Sequence, residues 1–195
     1  MRLAADDVKR SLRGSWRLMT HGSEALADLD LTREGFWRSF AAFALMLPAT
    51  IAILAAVRLL AGLPNSTGLF ATPSLTLSVI GAQLLTILAV PALLIALAPN
   101  LAHSPRFTSF VIAWNWAGVV SASLMAVPAA VFAIGWSYPS RAGLQSLAFA
   151  AIVLRLRYCV AQAAFGRESR IAPTVVVASV LADYSVLRLF GLLPL

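Results

Sequence analysis

The sequence predicts an all-α protein: a polytopic transmembrane bundle of five spans, preceded by an amphipathic interfacial helix. Three observations carry that expectation. Hydrophobic residues make up 60% of the chain and charged ones 12%, whereas a soluble domain has about 45–50% and about 25%. Mean hydropathy is +0.85, which leaves too little polar surface for a water-soluble globule, a disordered chain or a disulfide scaffold. Five apolar runs approach or exceed the roughly 20 residues that cross about 30 Å of hydrocarbon, and the basic residues gather in alternate connections between them.

Residues 1–35 form a cytoplasmic arm. Over 4–20, Val8, Leu12, Trp16 and Met19 fall within about 80° of one another at helical spacing, with Ala4 and Ala5 alongside. Lys9, Arg10, Arg13 and Arg17 occupy the adjoining side, and Asp6 and Asp7 suit the positive end of a helix dipole. This pattern fits a helix on an anionic cytoplasmic leaflet, with those four bases as lipid contacts, or one docked on the bundle or on a partner protein. His21, Gly22 and Ser23 break it. Glu24, Asp28, Asp30 and Glu34 then form a solvated acidic connector able to pair with neighbouring arginines; it lacks the glycine and terminal acid of a calcium loop. Thr32 is the expected N-cap of span one, with Phe36 and Trp37 as interface anchors. The first apolar run starts near Phe36, too late for a signal peptide.

The spans are expected at about 37–60, 75–97, 107–136, 144–165 and 171–192. Turn-type residues separate them: Pro64, Asn65, Ser66, Thr67 and Gly68; Pro99 and Asn100; Ser137, Tyr138, Pro139 and Ser140; Gly166, Arg167, Glu168, Ser169 and Arg170. The third run, about 45 Å long as a helix, reads as one tilted span, bent at Pro128 if anywhere. Pro48, Pro91 and Pro173 also fall in or near spans, which neighbours make tolerable by satisfying the freed carbonyls.

Orientation follows from the lysines and arginines. Residues 1–38 carry Arg2, Lys9, Arg10, Arg13, Arg17, Arg33 and Arg38; Arg106, Arg167 and Arg170 lie in the second and fourth connections, and Arg141 alone in the third. That count puts the amino terminus in the cytoplasm and the carboxyl terminus on the far side of the membrane. It also explains the pI near 11.0 without a nucleic-acid partner.

Three charges fall inside spans four and five: Arg155, Arg157 and Asp183. Each costs roughly 2.5–3.5 kcal/mol at a helix centre, so they should face inward and pair. Counted from the turn near Glu168, Arg155 and Asp183 lie within roughly 3 Å of the same depth, which predicts an Arg155–Asp183 ion pair. Arg155, Tyr158 and Gln162 share one helical face, and Ser179 and Asp183 share another, making a polar strip. This strip is either a proton, ion or headgroup site or, the reading preferred here, a structural neutralisation. Arg157, about 200° from Arg155 on the helix, needs another partner, a lipid phosphate or another subunit. Arg58 and Arg188 are expected to snorkel.

Asn115 and Gln83 are expected interhelical hydrogen-bond partners, and Cys159 a structural thiol. Gly118, Ala122, Ala126 and Ala130 form a small-residue stripe that lets another helix approach, whether from this chain or a partner. His21 and His103 stand in no ligand spacing, and no catalytic, nucleotide or haem motif is present. No metal, cofactor or enzymatic activity is therefore expected.

Ser11, Trp16, Arg17 and Leu18, followed by the run Asp30, Leu31, Thr32, Arg33, Glu34, Gly35, Phe36, Trp37, Arg38, Ser39 and Phe40, resemble small integral membrane proteins of proteobacteria that carry no assigned function. Five spans with a cytoplasmic amino terminus are also similar to Yip1-type proteins, in architecture only. The resemblance transfers no function and no site residues. The preferred expectation is a non-enzymatic accessory or scaffold subunit of an inner-membrane assembly, with a protein partner or second copy in the membrane. The alternatives are a small transporter or channel component using the polar strip, and a lipid-binding or membrane-shaping protein using the basic arm.

Overall fold

The computed structural model describes residues 5–63, 68–166 and 170–193. Arg2 and Ala4, the turn residues Pro64, Asn65, Ser66 and Thr67, and Arg167, Glu168 and Ser169 lie outside the described residues. Among the described residues the protein is all-α, with five helices long and apolar enough to cross a membrane.

The arm begins with α1 (Ala5–His21). Gly22, at φ 57°, turns the chain into a 3-10 segment (Gly22–Asp28). This connector is not simply solvated: Ala25 and Leu29 are buried, and the segment packs on α1. Close approach is possible because Gly14 faces it; a Cβ there would stand 2.8 Å from Asp28 Cβ. The acids do pair with arginines. Arg17 meets Asp28 at 2.7 Å, and Arg38 meets Glu34 at 3.2 Å, Asp30 at 3.8 Å and Asp7 at 3.9 Å.

Span one covers Arg33–Leu60 in three pieces: α2 (Arg33–Ser39), α3 (Ala42–Leu45) and α4 (Leu47–Leu60). Thr32 caps α2, its hydroxyl accepting the Gly35 amide at 3.1 Å. The other spans are α5 (Pro73–Leu97), α7 (Pro105–Ala133), α8 (Pro139–Phe165) and α9 (Ile171–Leu189), with the short α6 (Pro99–Ala102) between α5 and α7. Three of the five spans, α5, α7 and α8, start on a proline, as does the short α6; the missing N–H costs nothing there.

The spans close into a ring. Helix α7 packs on α4 and α8, α9 on α8 and α5, and α4 on α5. Helix α7 has 29 residues, about 43 Å at 1.5 Å each, so it outruns the hydrocarbon. Its first half is the most enclosed stretch of the chain, with Phe107, Val119 and every residue from Phe110 to Ala117 buried. The arm, α2 and α8 cover it there, and Phe110 stacks near Phe165 and Trp114.

Candidate functional site: a polar cavity inside the helix ring

Charge inside an apolar ring needs a partner, and the structure supplies a different one from the pair expected by depth. Arg157, not Arg155, reaches Asp183: its Nη1 donates to Asp183 Oδ2 at 2.5 Å and to Ser179 Oγ at 3.1 Å. Depth alone allowed either arginine, because two residues differ by only about 3 Å along a helix; azimuth decides. The inward face of α8 is Val153, Leu156, Val160, Ala161 and Ala164, and Arg157 falls on it. Arg155 points out of the ring and is exposed. The expected polar strip is therefore split. Asp183 is inside, whereas Tyr158 is exposed and takes a hydrogen bond from Gln162 Nε2 at 3.3 Å on the arm-side flank of α8. Arg157 needs no outside partner.

Trp114 joins three helices around this pair. Its indole N–H donates to the Ile87 carbonyl of α5 at 3.0 Å. That carbonyl lacks its helical donor, since residue 91, four positions on, is proline. The ring also lies beneath the Arg157 guanidinium, 5.5 Å from its centroid, at the distance of a cation–π contact. The sequence reading passed over Trp114; the signal was Pro91, which obliges some neighbour to donate to residue 87.

A cavity of about 230 Å³ opens beside the pair, lined from all five spans: Ile53 of α4, Gln83 and Thr86 of α5, Ser121 of α7, Arg157 of α8 and Asp183 of α9, with apolar walls from Trp114, Ala122 and Val153. Side-chain exposure is 13% for Arg157 and 29% for Asp183. Asp183 Oδ1 is buried and has no hydrogen-bond partner among the described residues. The site thus combines a neutral ion pair, an unused carboxylate oxygen, and the amide of Gln83 and hydroxyls of Thr86 and Ser121 on an otherwise apolar wall. Among the described residues, Gln83 Nε2 contacts Met46 Sδ at 4.0 Å. Such a mixture suits water and small polar solutes more than a large apolar ligand.

Asn115 Nδ2 donates to Ser39 Oγ at 2.9 Å, tying α7 to α2. Gly118 admits the chain's own first span: a Cβ would stand 2.8 Å from Met46 Cε. Ala122 is buried beside the cavity, Ala126 packs against the core and Ala130 is half-buried, so the stripe serves internal packing. Arg58 does not snorkel. It is 4% exposed and donates to Thr72 Oγ1 at 3.3 Å, whereas Arg188 is exposed. Of the four basic arm residues, Arg10 pairs with Asp7 at 3.0 Å and Arg17 with Asp28, while Lys9 and Arg13 are exposed. Cys159 is a free thiol at half-buried depth. Among the described residues, no group of three or more His, Cys, Asp or Glu side chains gathers to hold a metal ion.

Compared with protein-family models, with curated proteins and with solved structures, the chain has no match.

Proposed function

We propose that this protein is a small membrane transport component whose pathway runs through the cavity at the centre of the helix ring. The observation that carries the reading is one cavity lined by all five spans and holding the Arg157–Asp183 pair with an unpartnered carboxylate oxygen. Ionisable residues inside a membrane bundle commonly mark ion or substrate pathways. The reading places the protein in a bacterial inner membrane with the arm in the cytoplasm, supported by the excess of lysine and arginine on that side.

Besides the lack of catalytic motifs, an accessory or scaffold role draws on three features: a lone arginine, a small-residue stripe and a docking-type arm. Each finds a partner within this chain: Arg157 in Asp183, Gly118 in Met46, and α1 in α7 and α8. They therefore lend that role no support.

The test is reconstitution of the full chain into liposomes. Proton entry is followed with an enclosed pH-sensitive dye, and entry of small neutral solutes such as urea and glycerol by swelling. Wild-type protein should raise the flux of at least one probe above that of empty vesicles, and Asp183→Asn should abolish the increase while the variant still elutes as folded protein. Permeability equal to that of empty vesicles for every probe would overturn the proposal.

A further inference from the structure

The arm helix carries three sides rather than two. Ser11, Gly14, Ser15 and Leu18 are buried, so this side is the one docked on the 3-10 connector, α7 and α8. At 100° per residue, the stripe of Val8, Leu12, Trp16 and Met19 is centred about 105° away from it, and the basic residues follow beyond. The helix therefore lies in a corner: protein on one side, an apolar flank on the next, a charged face on the third. The docking of α1 leaves that apolar flank incompletely covered, with Trp16 48% exposed.

Between this flank and α7 runs a groove of about 320 Å³. Leu12 and Trp16 form one wall, and Val120, Ser123, Leu124 and Val127 the other. Val127 is an exposed large apolar residue on the outside of the ring, so the groove is continuous with a surface that faces acyl chains in a bilayer. By helical spacing, two basic side chains follow the Leu12 and Trp16 wall around α1. Arg13 follows Leu12 and precedes Trp16 by three residues, and Lys9 lies one turn earlier. Their basic neighbours Arg10 and Arg17 are paired with Asp7 and Asp28. Lys9 and Arg13 are exposed and make no ion pair among the described residues.

We propose that this groove seats one anionic phospholipid. An acyl chain lies between Leu12 and Trp16 on α1 and Val120 and Leu124 on α7, and the headgroup phosphate meets Lys9 and Arg13. The apolar wall supplies the hydrophobic contact and the two cations supply the charge preference. Trp16 sits at the junction, where an indole is favoured at the level of the headgroups. The seat is independent of the central cavity and of any transport through it.

The full-length protein, stripped of lipid in detergent, is titrated with phosphatidylglycerol and separately with phosphatidylcholine, and adducts are counted by native mass spectrometry. One phosphatidylglycerol should bind more tightly than any phosphatidylcholine. Lys9→Gln with Arg13→Gln should weaken it by about fivefold for each charge removed, leaving phosphatidylcholine unchanged. Ser123→Trp, at an exposed position, should fill the groove and remove the tight adduct. In parallel, phosphatidylglycerol brominated on its acyl chain should quench wild-type fluorescence more than that of Trp16→Phe. If the adduct survives Ser123→Trp, or if the Trp16→Phe protein is quenched as strongly as wild type, no acyl chain occupies the groove. If phosphatidylcholine binds as tightly as phosphatidylglycerol, the headgroup site is absent. Either result overturns the proposal; should Ser123→Trp fail to fold, the fluorescence comparison decides alone.

Discussion

Trp114 illustrates how one side chain settles several physical debts of an apolar interior. Pro91 removes the donor that the Ile87 carbonyl would use in an uninterrupted helix, and a neighbouring group must replace it. The indole N–H does so, at 3.0 Å. Trp114→Phe keeps the aromatic face and deletes the donor, so it should destabilise the protein by about 1–3 kcal/mol, read as a fall in the unfolding midpoint in detergent. The ion pair makes a sharper contrast. Arg157→Leu strands the Asp183 carboxylate in an apolar ring and should cost on the order of 3 kcal/mol. Arg155→Gln, on the exposed side of α8, should stay within about 0.5 kcal/mol of wild type. Equal effects of the two substitutions, in the same unfolding assay, would reassign the pair. The sequence showed that Asp183 needs an arginine at its depth. It concealed which one, because depth is a count along the helix whereas azimuth depends on the neighbours. The repeat Val153, Arg157, Val160, Ala161 and Ala164 held the missing information, since an apolar stripe with one charge in it marks the inward face.

At the scale of elements, the arm is fastened by glycine contacts and a charge network rather than by its most apolar face. A Cβ on Gly35 would collide with the Asp30 backbone carbonyl, which cannot rotate away as a side-chain tip does. Gly35→Ala should therefore cost about 1–3 kcal/mol and expose the connector to proteolysis, whereas Gly118→Ala meets only the flexible end of Met46 and should be milder. The Asp30 carboxylate accepts the Thr32 hydroxyl at 2.6 Å. That bond, helped by the Thr32 amide and Arg38, holds its pKa below the ordinary 3.8. A depressed pKa means that its contribution to docking is present above the unfolded value and is lost as pH falls through the folded one. Amide exchange over residues 22–40 should therefore quicken below about pH 3.8, and Asp30→Asn should flatten that dependence. The Thr32 cap, the break at Gly22 and all five spans were legible in the sequence, because capping chemistry, positive-φ glycine and apolar run length are local properties. The burial of Ser11 and Ser15 was not. Small polar residues read as solvent-facing until a neighbouring helix is known to sit against them.

For the whole molecule, the five spans form a closed ring because α9 bridges α8 and α5 while α7 bridges α4 and α8. Apolar periodicity cannot foretell that order. Span hydrophobicity is nearly uniform around the helices in a lipid-immersed chain, so it marks which residues cross the membrane and says little about who meets whom. The polar residues carry that information instead, through Asn115 to Ser39, Trp114 to Ile87 and Arg157 to Asp183. The five spans line a cavity whose polar groups include Ser121, and water inside that cavity is what the proposed pathway requires. The most direct measurement is thiol labelling of Ser121→Cys, made in a Cys159→Ala background and reconstituted in liposomes, with a small charged methanethiosulfonate added to either side. The account predicts modification of the folded protein, slowed when the vesicle permeability itself is reduced by Asp183→Asn. A cysteine at 121 that reacts only after denaturation would show a dry interior and would contradict the account.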